Sequence, residues 1–284
     1  MEKALIDSLA KEERTIKNLR NSLRKLDKIE VNSFSNLLKL KGELSVVDKL
    51  LNQTRLENTI KEEINRLVED IKAKIPDLEE KLKGKFGHEL DIALQEVGKE
   101  YNFKLKGHYP ELRVLFYTLE LRLENSGGVV IWYGPKQERL ALVKPEPKTI
   151  AQKLKTIHES ITKRKFDEPE FLSTLLEAYK MAAYREKKNF GEQIPINKVL
   201  LDFAFLIQDN KFKIDPTKKN YKDYGRVYFS YDLFRLKERR INSYELQLVT
   251  ATRAYTQRRR DFLWIPSNEE GGGSYFSHIK FRRL

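Results

Sequence analysis

Leu9, Ile16, Leu19, Leu23 and Leu26 advance by steps of seven, three, four and three, so they fall on one narrow stripe of a helix whose other positions carry mostly Lys and Glu. The spacing predicts a helix from about residue 2 to about residue 29. Val31-Asn32-Ser33 then reads as a turn with an N-cap, because a short oxygen-bearing side chain satisfies the free amides that open a helix. Leu37, Leu40, Leu44, Val47 and Leu51 resume the same spacing. A phase shift at Thr54 to Leu56 reads as a stutter, with the stripe continuing through Ile60, Ile64, Leu67 and Ile71. Pro76 is expected to end that helix, and Leu78, Leu82, Phe86, Leu90, Leu94 and Val97 predict a third one beyond it. So narrow a stripe does not bury itself. The helices must pair with each other, with a second copy, or with another protein, and the short turn favours an antiparallel hairpin or coiled coil. Leu9, Ile16, Leu19, Leu23, Leu26, Leu37, Leu44 and Leu51 are the expected partner-docking positions; the competing reading is a helical domain whose stripe faces its own core.

The periodicity changes after residue 100. Residues 112 to 123 and 129 to 143 are rich in strand formers and read as two strands joined by the turn Asn125-Ser126-Gly127-Gly128, with an edge strand expected at Tyr101 to Lys106. Helical spacing returns at Ile150, Leu154, Ile157 and Ile161. It continues after Pro169 through Phe171, Leu172, Leu175, Leu176, Tyr179 and Ala183. The apolar run at residues 199 to 208 fits a buried helix or a buried strand by period alone; Asn197 as a cap and Asp209-Asn210 as a stop favour helix. Asp202, inside that run, is expected on the polar side near the helix start.

Asp223 to Lys237 reads as a helix and Ser243 to Tyr255 as a half-exposed strand. Gln257-Arg258-Arg259-Arg260 is expected to form a basic hairpin tip before a second strand at Phe262 to Ile265. Gly271-Gly272-Gly273 reads as a flexible link to a short final strand, Tyr275 to Phe281. A cationic tip between strands resembles the wing of a winged helix, but the stretch from 209 to 221 is too long for a tight helix-turn-helix. The fold class is therefore α+β: a helical hairpin or coiled coil at 1–100, an α+β scaffold with a β-hairpin at 101–210, and a basic, aromatic-rich helix plus hairpin at 211–284.

Charge sharpens this division. Residues 1 to 100 hold 20 Lys and Arg against 20 Asp and Glu, so the whole net charge of +13 lies beyond them, and residues 211 to 284 hold 17 against 8. Aromatics follow the same line, with Phe34 and Phe86 alone in the first hundred residues. Cations that neutralise phosphates, interleaved with rings that stack on unpaired bases, suit DNA or RNA. The expected contacts are Lys218, Lys219, Lys222, Arg226, Arg239, Arg240, Arg253, Arg258, Arg259, Arg260, Lys280, Arg282 and Arg283.

Catalytic chemistry finds less support. The chain has no cysteine, which excludes disulfides, thiolate metal sites and cysteine nucleophiles and fits a cytoplasmic location. His88, His108, His158 and His278 form no metal pair at helical spacing, and the turn at Gly127-Gly128 carries no phosphate-loop motif. Asp202, Asp223 or Asp232 followed by Glu245-Leu246-Gln247 is distantly similar to the acid, then acid-x-lysine order of restriction-like nucleases, with Gln247 in the lysine's place. No bound cofactor or metal is expected. The start of the chain lacks a signal-peptide pattern, and no apolar stretch reaches a membrane-spanning length, so no membrane partner is expected. These features point to a non-catalytic accessory subunit of a nucleic-acid-handling complex, with DNA processing or genome and antiviral defence as a setting. The alternatives are a Mg²⁺-dependent nuclease and a pure protein-interaction scaffold.

Overall fold

The computed structural model describes residues 2–122 and 127–284 and shows an α+β protein: long N-terminal helices, then antiparallel sheets and further helices. The chain divides into two compact units. The first comprises Met1–Leu112, Glu120–Val130 and Leu142–Lys153, and the second Arg113–Leu119, Ile131–Ala141 and Leu154–Leu284.

The first unit is led by α1 (Glu2–Asp27), α2 (Phe34–Gln53) and α3 (Asn58–Val97). Ser33 caps α2, its hydroxyl accepting from the Asn36 amide at 3.3 Å. Helix α1 runs antiparallel to α2, as Lys25 to Glu43 (3.0 Å) and Glu12 to the Arg55 amide (2.6 Å) show. Helix α3 reverses again. Lys72 meets Asp48 at 3.0 Å, Lys41 meets Glu79, and Phe34 packs edge-on against Phe86 at 5.1 Å. Two expectations fail here. The shift at Thr54 is a chain reversal and not a stutter, because the buried Thr54 hydroxyl takes the Leu51 carbonyl (3.1 Å) in place of a continuing helix. Pro76 lies inside the 40-residue α3 instead of ending it; it is exposed, so water can bond the carbonyl left without a partner.

Strands β1 (Lys106–His108), β2 (Glu111–Val114), β3 (Tyr117–Arg122), β4 (Gly128–Tyr133) and β5 (Glu138–Val143) form a sheet in sequential order. The two long strands expected here are four. Leu115 (φ 49°) and Gly134 (φ 61°) turn the chain in the left-handed region, and a Cβ on Gly134 would stand 2.6 Å from the Trp264 ring. Every residue of β4 is buried, so no alternation marked its ends. The expected edge strand starts later, at Lys106, because Lys99–Tyr101 winds into a 3₁₀ turn. Of the turn expected at Asn125-Ser126-Gly127-Gly128, Asn125 and Ser126 lie outside the described residues, and Gly128 opens β4.

Beyond α4 (Pro147–Thr162), the second unit holds α5 (Glu168–Arg185), β6 (Ile194–Pro195), α6 (Ile196–Leu206), α7 (Asn210–Ile214) and α8 (Arg226–Arg235). It ends in β7 (Arg240–Ile241), β8 (Tyr244–Thr250), β9 (Leu263–Pro266) and β10 (Gly273–Arg283). Asp167 caps α5 and Pro169 sits in its first turn. Phe171, Leu175, Tyr179, Phe203 and Phe229 of the helices pack with Leu246, Ile279 and Phe281 of the sheet to form the core. The 199–208 run is helical through Leu206, with Ile207 at the C-cap and Gln208 beyond it, but Pro195 stands at the N-cap and Asn197 lies within the helix. Asp202 is not on a polar side: it is buried, with its carboxylate 2.5 Å from the Arg185 guanidinium.

Strand β10 is the largest departure from expectation. It has eleven residues, pairs antiparallel with β6, β8 and β9, and is the centre of the sheet. Strands β8 and β9 pair with β10 and not with each other, so residues 257–260 belong to a long connection and are no hairpin tip. The glycine run is a close-packed turn. Gly271 (φ 96°) leaves no room for a Cβ, which would stand 2.4 Å from the Leu115 carbonyl, and Gly273 already belongs to β10.

Candidate nucleic-acid interface

Alternation along β10 and β8 separates the sheet's two faces. Ile279, Phe281 and Leu246 point into the core, which leaves His278, Lys280 and Arg282 on the other face beside their partners Val249, Gln247 and Glu245. Arg240 of β7 pairs in register with Glu245. One carboxylate organises this face. Glu245 accepts from Arg282 Nε at 2.8 Å and from Gln247 Nε2 at 3.2 Å, with Arg240 Nε at 3.7 Å. The Gln247 amide first, then the Arg282 guanidinium, hold its acid below the usual carboxylate range. Three cations against one anion leave two positive charges in excess. His278 adds none at neutral pH, because burial, and then Lys188, push its proton affinity below the ordinary histidine value.

Residues 251–262 continue from this face. Tyr255, half exposed, stands edge-on over His278 at 4.9 Å, so the connection starts against the sheet's open side. Arg253 before Tyr255 and Arg258, Arg259 and Arg260 after it are all exposed. Their backbone is held at its base. Arg226, at the first position of α8, donates from Nη2 to the carbonyls of Arg259 (2.8 Å) and Phe262 (2.5 Å), while Nε binds Glu138 at 2.5 Å. Gln137 adds a bond to the Phe262 carbonyl at 3.0 Å and accepts from the Trp264 amide. The Arg259 guanidinium lies 5.1 Å over Trp132. Arg226, expected at a phosphate, is therefore the clamp beneath the arginines that face water.

The remaining expected cations are scattered. Arg239 and Arg283 are exposed near β7 and the end of β10, Lys218 and Lys219 lie in the segment after α7, and Lys222 lines a separate cleft. The acids considered for a nuclease do not converge. Asp202 and Asp232 are buried against arginines, Asp223 lies at the cleft, and Glu245 is spent on the sheet face. Among the described residues no three His, Asp or Glu side chains stand where one ion could be shared.

The expected docking stripe is split. Leu19, Leu26, Leu37, Leu44 and Leu51 are buried within the first unit and Leu23 is half-buried, whereas Leu9 is 63% and Ile16 38% exposed, beside the exposed Leu5 and Ile6. Among the described residues no helix is long and apolar enough to cross a membrane.

Sequence reasoning missed the cluster around Asp232. Its Oδ1 lies 2.5 Å from Arg164 Nη2 and 2.6 Å from Arg235 Nη2, and its Oδ2 accepts from the Tyr224 hydroxyl at 2.6 Å. Burial, then the Asp232 charge, drive the Tyr224 phenol far above its ordinary range. Nothing local announces it, since Arg164 is 68 positions away from Asp232. Compared with protein-family models, curated proteins and solved structures, the chain matches none.

Proposed function

We propose that the protein is a non-catalytic accessory subunit that contacts nucleic acid through the open face of its C-terminal sheet and the arginine connection that follows it, and docks a partner through α1. The observation that supports this reading is the clamp. Arg226 spends its donors on the backbone of residues 259–262, so Arg258, Arg259 and Arg260 are presented from a fixed base with exposed side chains, Arg259 beside the Trp132 ring and Arg260 3.7 Å from the Asp261 carboxylate. Exposed cations of this kind bind phosphates by releasing counterions, without reading sequence. Arg240, Lys280 and Arg282 extend the contact, and Glu245 orients two of them at the cost of part of the field. On the helical side, Leu5, Ile6, Leu9 and Ile16 supply an apolar stripe on α1.

The test is binding of a fluorescent single-stranded oligonucleotide across a salt series, with DNA and RNA compared. Replacing Arg258, Arg259 and Arg260 together by Gln should weaken binding and reduce the slope of log affinity against log salt by about 2. A slope equal to that of the unaltered protein would place the contact elsewhere.

A further inference from the structure

The second unit contains a cleft of about 620 Å³ between the start of α5, the end of α6, residues 222–224 and α8. Its floor is the Asp232 cluster. Two guanidiniums share one carboxylate there, so a full positive charge is left over in a mostly buried setting, where an uncompensated ion is costly. Arg164 lines the cleft. Of its N–H donors, one goes to Asp232 and one makes a long 3.4 Å bond to the Ile161 carbonyl, while its flat face lies 4.2 Å from the centre of the Tyr228 ring. The guanidinium is thus fixed in place with donors to spare. Arg235, behind it, has buried Nε without any hydrogen-bond partner.

Lys165 and Lys222 line the same cleft, and neither ammonium is paired among the described residues. Three acids oppose them. Asp167 is spent on capping α5, accepting from the Glu170 amide at 2.9 Å, and Glu170 and Asp223 are exposed. Across the cleft four cations face four acids, but Lys165, Lys222, Asp167, Glu170 and Asp223 are all exposed, so the unbalanced positive charge sits on the floor, at Arg164 and Arg235, beside the rings of Phe171, Tyr224 and Tyr228; the exposed acids suit hydroxyl donors. A lone inorganic anion would leave most of the space empty, since clefts of this volume suit ligands the size of a nucleotide.

We propose that this cleft binds a phosphate monoester borne on a sugar or aromatic group, its phosphate directed at Arg164, Lys165 and Lys222. The ester could be a free nucleotide or sugar phosphate, or the phosphorylated end of a strand. This site is separate from the sheet face and does not depend on it. Isothermal titration of the full chain with adenosine 5′-monophosphate, with adenosine, and with oligonucleotides bearing a 5′-phosphate or a 5′-hydroxyl distinguishes the sources. The phosphorylated form should bind at least about tenfold more tightly than its unphosphorylated counterpart in one pair or both. Lys165→Ala with Lys222→Ala, both exposed and therefore compatible with folding, should abolish most of that preference. Arg164→Lys should retain part of it and Arg164→Gln none. The triple Gln variant at 258–260 should leave it unchanged. Equal affinity for both members of each pair, or a phosphate preference that survives the double lysine variant, would overturn the proposal.

Discussion

The arginines of the 253–260 connection and those around Asp232 carry the same group in opposite circumstances. Arg253, Arg258, Arg259 and Arg260 are exposed, whereas Arg164 and Arg235 are largely withdrawn from water and converge on one carboxylate. An exposed guanidinium keeps its hydration, contributes little to stability and stays available to a ligand. A buried one is part of the fold and is costly to leave alone. Charge counted along a chain says how many cations there are; what accepts their N–H groups decides which of them are free to act.

Substitutions can break this contrast, and the largest effect belongs to the buried cluster. Asp232→Ala leaves two guanidiniums unmatched and should cost about 3–5 kcal/mol in urea denaturation; a loss under about 1 kcal/mol would mean the cluster is solvated after all. Tyr224→Phe removes a hydrogen bond to the carboxylate and should cost about 2 kcal/mol near neutral pH. Its pH dependence has a definite sign. The folded state raises the Tyr224 phenol above its ordinary value of 10.0, so the wild type loses stability as pH rises past that value, and the gap between wild type and variant should narrow. A gap that widens in alkali would contradict the burial of that hydroxyl.

Arg226→Ala tests the intermediate case, an arginine in the basic region that behaves as a structural one. Freeing the carbonyls of residues 259 and 262 should cost about 1–2 kcal/mol and also weaken oligonucleotide binding, by loosening the base of the connection. Unchanged binding would show that the exposed arginines need no fixed support. The smallest effect on stability is expected for the triple Gln variant of Arg258, Arg259 and Arg260, within about 0.5 kcal/mol of wild type. A larger change would place those side chains in the folding energetics and erase the distinction.

The same division governs what the sequence made legible. Helices α1, α2, α4 and α5 follow a repeat of apolar positions that survives any tertiary context. The ends of α2 and the continuity of α3 do not, because the Thr54 hydroxyl and the exposure of Pro76 become visible only once neighbours are placed. Strand pairing was hidden for a related reason. Alternation identified β8 and placed strands near β9 and β10, yet nothing in it says that β10 lies between the others. At the candidate interface, Arg240, Arg258, Arg259, Arg260 and Arg282 are exposed cations as their surroundings in sequence suggested. Arg226 sits among them and has a different role, because Glu138 and the carbonyls that occupy it come from distant parts of the chain.

Strand β10 is synthesised after each of the three strands that pair with it. During translation β6, β8 and β9 must therefore wait with open edges, exposing unpaired amides and carbonyls that invite association with other nascent chains. Emergence of a single segment from the ribosome closes all three of these pairings, so apart from the local β7–β8 pair the C-terminal sheet assembles late, and the open edges are longest exposed just before it.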